Sequence, residues 1–81
     1  MTRQELEIVL SEALRHVAPD VDLTEIDKEG DLREEFDIDS IDFLNLIAAL
    51  GKRLSLPMPE DDYPKMRSFA ALLDYLVEKT A

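Results

Sequence analysis

Residues 36–54 read FDIDSIDFLNLIAALGKRL, and this stretch decides the fold. From Ser40 onward, Ile41, Leu44, Ile47 and Ala48 recur at spacings of three and four, the period of one helix face. Phe43, Leu46, Leu50 and Leu54 widen that face. An apolar arc so broad predicts a central helix packed on several neighbours. Asp39 and Ser40 are both suited to cap its start. Pro57 and Pro59 mark its end, and Gly51 weakens it by up to ~1 kcal/mol relative to Ala. The spacing predicts a helix over 40–54.

Upstream, Thr2-Arg3-Gln4-Glu5 has the form of a capping box. Leu6, Val9, Leu10, Ala13, Leu14 and Val17 follow as one apolar stripe, which Pro19 stops. This predicts a first helix over 3–17. Residues 18–39 show no sustained period. They are rich in acids, yet Val21, Leu23, Ile26, Leu32, Phe36 and Ile38 are spaced along them. A loop of that length is expected to be functional or pinned by its own side chains, with a helical turn expected near 23–28. Downstream, acids at Glu60-Asp61-Asp62 after Pro59 favour a short helix near 60–65. Ser68 is placed to cap a last helix, whose stripe is Phe69, Leu72, Leu73, Leu76 and Val77. The expected fold is all-α: a four-helix bundle with three main helices, a short third helix and a long first loop.

The 81 residues fit one domain, 1–81, and leave no room for a deep cleft with its own walls. Nineteen acids oppose nine Lys and Arg, for a net charge of −10. Such a surface repels nucleic acid and anionic membranes and is attracted to basic protein patches. Self-repulsion should make stability sensitive to salt. The 46% of hydrophobic residues, set at helical spacing, argue against disorder. No cysteine is present, so no disulfide or thiolate metal site forms and any thiol chemistry needs an attached cofactor. No window approaches the roughly 20 apolar residues of a membrane span, and no signal peptide is visible. A cytoplasmic monomer is the expectation. Asp20, Asp22 and Thr24 imitate the first ligands of a calcium loop. However, the sixth position is Glu25 where Gly is required and the twelfth is Asp31 where Glu is required, so that reading is rejected and no metal site is assigned.

Ser40 lies where the long loop meets the start of the most apolar helix, a position where free amides and the helix dipole favour a phosphate. No base stands near it in the sequence. His16, the one histidine, is on another helix and reads as a surface or loop-packing residue. A serine that receives a phosphoryl-linked group from an external enzyme fits better than a hydrolytic nucleophile. The plainer reading of Ser40 is a helix cap, and the plainer reading of Asp39 and Asp42 is compensation of the dipole.

Asp37-Ile38-Asp39-Ser40-Ile41-Asp42 resembles the Gly-x-Asp-Ser-Leu-Asp pattern of the 4′-phosphopantetheine attachment site of acyl carrier proteins. The resemblance extends over nearly the whole layout of helices and loop. It implies a carrier, not an enzyme. Ser40, flanked by Asp39 and Ile41, would take the arm from coenzyme A through a separate phosphopantetheinyl transferase, and the arm's thiol would carry an acyl group as a thioester. It further implies partner docking through Asp39, Asp42, Phe43, Glu60, Asp61 and Asp62 onto basic patches of acyl-transferring or synthase enzymes of fatty-acid, lipid or polyketide-type synthesis. Leu44, Leu46, Ile47, Leu54, Met58, Leu72 and Leu76 would line a shelter for the acyl chain. The chain departs from the family at Asp37, where Gly is usual, at Asn45, often Glu, and at Gly51-Lys52-Arg53, where acids are common. Asp37 should stiffen the loop or hold a strained conformation. Lys52 and Arg53 hint at a specialised partner set. A carrier of amino acids in peptide-synthesising systems shares the attachment chemistry. An unmodified acidic helical adaptor is the alternative of a different class.

Overall fold

The computed structural model describes residues 1–81 and contains helices α1 (Arg3–Val17), α2 (Leu32–Glu35), α3 (Ser40–Leu54) and α4 (Phe69–Thr80), with a 3-10 helix over Glu60–Met66 between the last two. α1 packs on both α3 and α4, and α4 also holds the 3-10 helix. The capping box forms as its sequence predicts: the Glu5 amide donates to Thr2 Oγ1 at 3.1 Å and the Thr2 amide to Glu5 Oε1 at 2.9 Å. The α1 stripe of Leu6, Val9, Leu10, Ala13 and Leu14 is buried. Leu32, Phe36, Leu46, Ile47, Leu50, Met66, Leu72 and Leu76 meet it in one core.

The first loop is pinned by its own side chains. Val21, Leu23 and Ile26 are half-buried against the core, while Leu32, Phe36 and Ile38 enter it. Backbone bonds tie it to the start of α4: the Leu32 amide donates to the Arg67 carbonyl at 2.7 Å and the Ala70 amide to the Lys28 carbonyl at 3.0 Å. The helical turn expected near 23–28 is not there; those residues form turns, and the helical turn is at Leu32–Glu35. The reason lies in the cap and the anchors. Asp31 accepts the Arg33 amide at 2.8 Å, and Leu32 and Phe36, four apart, are both buried. That pairing stabilises a turn that Leu23 and Ile26, only half-buried, do not.

A second correction concerns α3. Of its expected stripe of Ile41, Leu44, Ile47 and Ala48, only Ile47 enters the core, because Ile41 is 68% and Leu44 47% exposed and Ala48 is also exposed. The core takes Leu46, Ile47 and Leu50. The first turns of α3 therefore carry apolar side chains that no element of this chain covers. The short helix after Pro59 is 3-10 and not α, with Pro64 inside it, a residue that has no amide to donate to the α ladder.

Candidate functional site

Asp39 is the cap of α3. Its carboxylate accepts the Asp42 amide at 2.9 Å, and its carbonyl accepts the Phe43 amide at 3.0 Å. Ser40 is thus the first helical residue and not the cap, which frees its hydroxyl from the role the plainer reading gave it. The side chain is exposed. The amides of Ser40 and Ile41 donate to no acceptor in the chain, so the positive end of the helix is open beside the hydroxyl.

The path into this turn is set by α2. Its end forms a Schellman turn, with the Ile38 amide donating to the Arg33 carbonyl at 3.0 Å and the Asp37 amide to the Glu34 carbonyl at 3.4 Å. Such a turn needs one left-handed residue, and Asp37 takes it with φ 51°. Asp37 therefore holds the strained conformation expected of it, with a Cβ contact that a glycine would avoid. Ile38 is then buried, Asp39 faces the helix and Ser40 emerges.

One partner of Ser40 escaped the sequence reading. Arg33 Nη2 donates to Ser40 Oγ at 2.9 Å. The only signal for it is a single cation among Asp31, Glu34 and Glu35, and nothing in the spacing places it at the serine, because the turn after α2 brings the two together. A groove of about 420 Å³ opens beside Ser40 between α3 and the 3-10 helix, with Arg33, Phe43, Leu44, Glu60, Tyr63 and Arg67 among its walls. Phe43 and Tyr63 meet edge to face there, with ring centroids 5.7 Å apart. An exposed hydroxyl, two free amides, a guanidinium and an apolar wall suit a phosphate-linked, partly apolar arm on Ser40.

The expected docking acids divide. Asp39, Glu60 and Asp61 are exposed and Asp42 is half-buried on the first turn. Asp62 faces inward instead: Tyr75 donates its hydroxyl to Asp62 Oδ2 at 2.7 Å. That bond holds the Asp62 carboxyl below its ordinary range, while burial and then the same bond push the Tyr75 phenol up to about 12. Of the expected acyl-lining residues, Leu46, Ile47, Leu72 and Leu76 are buried in the core, Leu54 and Met58 pack half-buried against it, and Leu44 faces the groove and solvent.

A family model described as a phosphopantetheine attachment site matches residues 4–76. The chain is 31% identical over 58 residues to an acyl carrier protein of Rubrobacter xylanophilus, covering 72% of each chain. It is 30% identical over 60 residues to one of Clostridium acetobutylicum, covering 74% of this chain and 78% of that one. Among solved structures, its fold matches the solution structure of a chain assigned as an acyl carrier protein from Anaplasma phagocytophilum, with TM-score 0.84 at 23% identity over 100% of this chain and 94% of that one. It also matches the acyl carrier protein of Enterococcus faecalis, with TM-score 0.75 at 20% identity over 98% and 99% of the two chains.

Proposed function

The chain belongs to the acyl carrier proteins, whose domain is a phosphopantetheine attachment site, and on that premise we propose that Ser40 carries the arm and that residues 1–81 act as one cytoplasmic carrier domain. The observation that supports this most is the division of labour at the start of α3. Asp39 caps the helix, so the Ser40 hydroxyl next to it is spare, exposed and beside two free amides. The attached group supplies a terminal thiol on which acyl groups travel as thioesters. The chain itself performs no bond chemistry. It presents one oxygen to a phosphopantetheinyl transferase and afterwards presents the loaded arm to the enzymes that use it.

Partner enzymes of fatty-acid, lipid or polyketide-type synthesis would dock on the first turns of α3 and the 3-10 helix. Ile41 and Leu44 offer apolar contact there, and Asp39, Asp42, Glu60 and Asp61 offer charge to a basic patch. Asp62 is left out of that set, because its carboxylate is engaged by Tyr75. Sheltering an acyl chain among Leu46, Ile47, Leu72 and Leu76 means displacing them, since they fill the core.

The test is intact mass after incubation with coenzyme A, magnesium and a broad-specificity transferase. The wild type is expected to gain one phosphopantetheine, while Ser40→Ala gains none and keeps its helical circular dichroism. Labelling of Ser40→Ala, or a wild type that is never labelled, overturns the assignment.

A further inference from the structure

The chain holds nine cationic side chains among nineteen acids. Four of the cations close ion pairs: Arg3 with Asp74, Lys28 with Glu7, Arg53 with Glu12 and Lys65 with Asp62. Arg33 does not, although Asp31, Glu34 and Glu35 are its close neighbours in sequence. Its guanidinium instead donates to the Ser40 hydroxyl. Arg67 lines the same groove and likewise has no carboxylate within ion-pair distance. The two are held near one another by backbone, because the Arg67 carbonyl accepts the amide of Leu32, the residue before Arg33. Arg15, Lys52 and Lys79 are also outside the ion pairs, but only Arg33 and Arg67 stand in the groove beside Ser40, together with the acids Asp31 and Glu60 of its walls, and only Arg33 bonds the hydroxyl where the proposed function puts a phosphate.

We propose that Arg33, reinforced by Arg67, holds the phosphodiester that joins the arm to Ser40, and so fixes the direction in which the arm leaves the protein. This rests on Ser40 being the attachment residue. Esterification turns Oγ into a bridging oxygen, a poorer acceptor, and places the non-bridging oxygens with their negative charge two bonds further out, beyond the phosphorus. A guanidinium already within 2.9 Å of Oγ follows them by a small rotation of a flexible side chain. Its planar set of donors matches two phosphate oxygens, and the free Ser40 and Ile41 amides approach from the helix side. The first bonds of the arm then lie along the groove, over the Phe43 and Tyr63 rings, and do not rotate freely around Oγ. Arg33 is a positioning residue: it acts on the arm's direction and mobility and takes no part in acyl chemistry.

The experiment is phosphorus NMR relaxation on the arm-bearing protein, prepared with excess transferase and verified by mass. In the wild type at low salt, the phosphodiester should relax as part of the folded domain. In Arg33→Ala its transverse relaxation rate should fall by about half as the phosphorus gains the arm's own motion. Arg33→Lys should retain part of the effect, Arg67→Ala should lose a smaller part, and about 0.5 M salt should bring the wild type toward Arg33→Ala. Arg33→Gln keeps a donor without the charge, is expected to relax like Arg33→Ala, and gives the same reading where the alanine variant folds or loads poorly. Equal phosphorus relaxation in the wild type and these neutral variants overturns the proposal. A wild type that never takes the arm is a different failure, visible by mass beforehand, and overturns the assignment of Ser40.

Discussion

The chain passes through the left-handed region twice, at Asp37 before α3 and at Ser55 after it, both with φ 51°. The two turns share one hydrogen-bond pattern. The Leu56 amide donates to the Gly51 carbonyl at 2.9 Å and the Ser55 amide to the Lys52 carbonyl at 3.4 Å, as the Ile38 and Asp37 amides do to Arg33 and Glu34. Neither turn uses glycine at its left-handed residue. They differ in where they lead. The first leads into an open end of the helix, where Ser40, Ile41 and Leu44 face solvent and a guanidinium waits on the hydroxyl. The second leads back under a closed end, where Leu54, Leu56 and Met58 pack against the core and Asp62 is locked to Tyr75. One local motif serves two purposes, and the difference lies in what surrounds it. The open end leaves apolar side chains uncovered, and the closed end is packed against the core.

The strongest way to break this contrast is to truncate one leucine on each side. Leu50 is fully buried, and Leu50→Ala is expected to cost about 3 kcal/mol through lost burial and the cavity left behind. Leu44→Ala, at the open end, is expected to stay within about 0.5 kcal/mol. Urea denaturation of the two variants measures both, and equal losses would mean that the open end is packed after all.

The closed end should also show itself in alkali. The Tyr75 phenol is raised above its unfolded value, so its contribution is complete below the ordinary pKa of 10.0 and is lost as pH rises through about 12. Over that window the wild type should lose stability relative to Tyr75→Phe, which has no proton to release. Asp62 has the opposite sense. Its carboxyl is held low by the Tyr75 bond, so its contribution is present above the unfolded carboxylate pKa of 3.8 and fades as pH falls below that. Thermal melts of the pair across both windows test this, and parallel curves would show that the bond contributes nothing.

The smallest expected effects compare the turns themselves. Asp37→Gly removes the Cβ contact of a left-handed residue and should stabilise by about 0.5–1 kcal/mol. Gly51→Ala should act in the other direction. Although alanine is favoured in a helix, a Cβ there would meet the Leu56 carbonyl at 3.0 Å, and that carbonyl belongs to a backbone tied to Gly51 itself. A net loss of about 1 kcal/mol is expected, the close approach outweighing the propensity gain. If Asp37→Gly destabilises, the aspartate makes a contribution to the open end beyond its backbone conformation.

The same contrast separates what was legible in the residues from what was not. The long helices announce themselves because their period, the capping residues at their starts and the prolines that follow the first two are local quantities. The Ser40 turn was legible for the same reason. The helical turn expected at 23–28 falls at Leu32–Glu35 because two competing apolar pairs lie in the loop, and only packing decides which pair is buried. Ile41 and Leu44 misled because helical spacing reports a shared face but not whether anything covers it. Arg33 was missed because its partner lies beyond a reversal of the chain.

By itself, then, the sequence determined the helices, the acidity and a serine at a helix start, since each follows from neighbours within a turn or two. Tertiary structure alone decided which apolar residues are covered, that Asp62 bonds to Tyr75, and that Arg33 meets Ser40. Those outcomes depend on groups brought together across the fold, where burial and charge are set by distance in space and not along the chain.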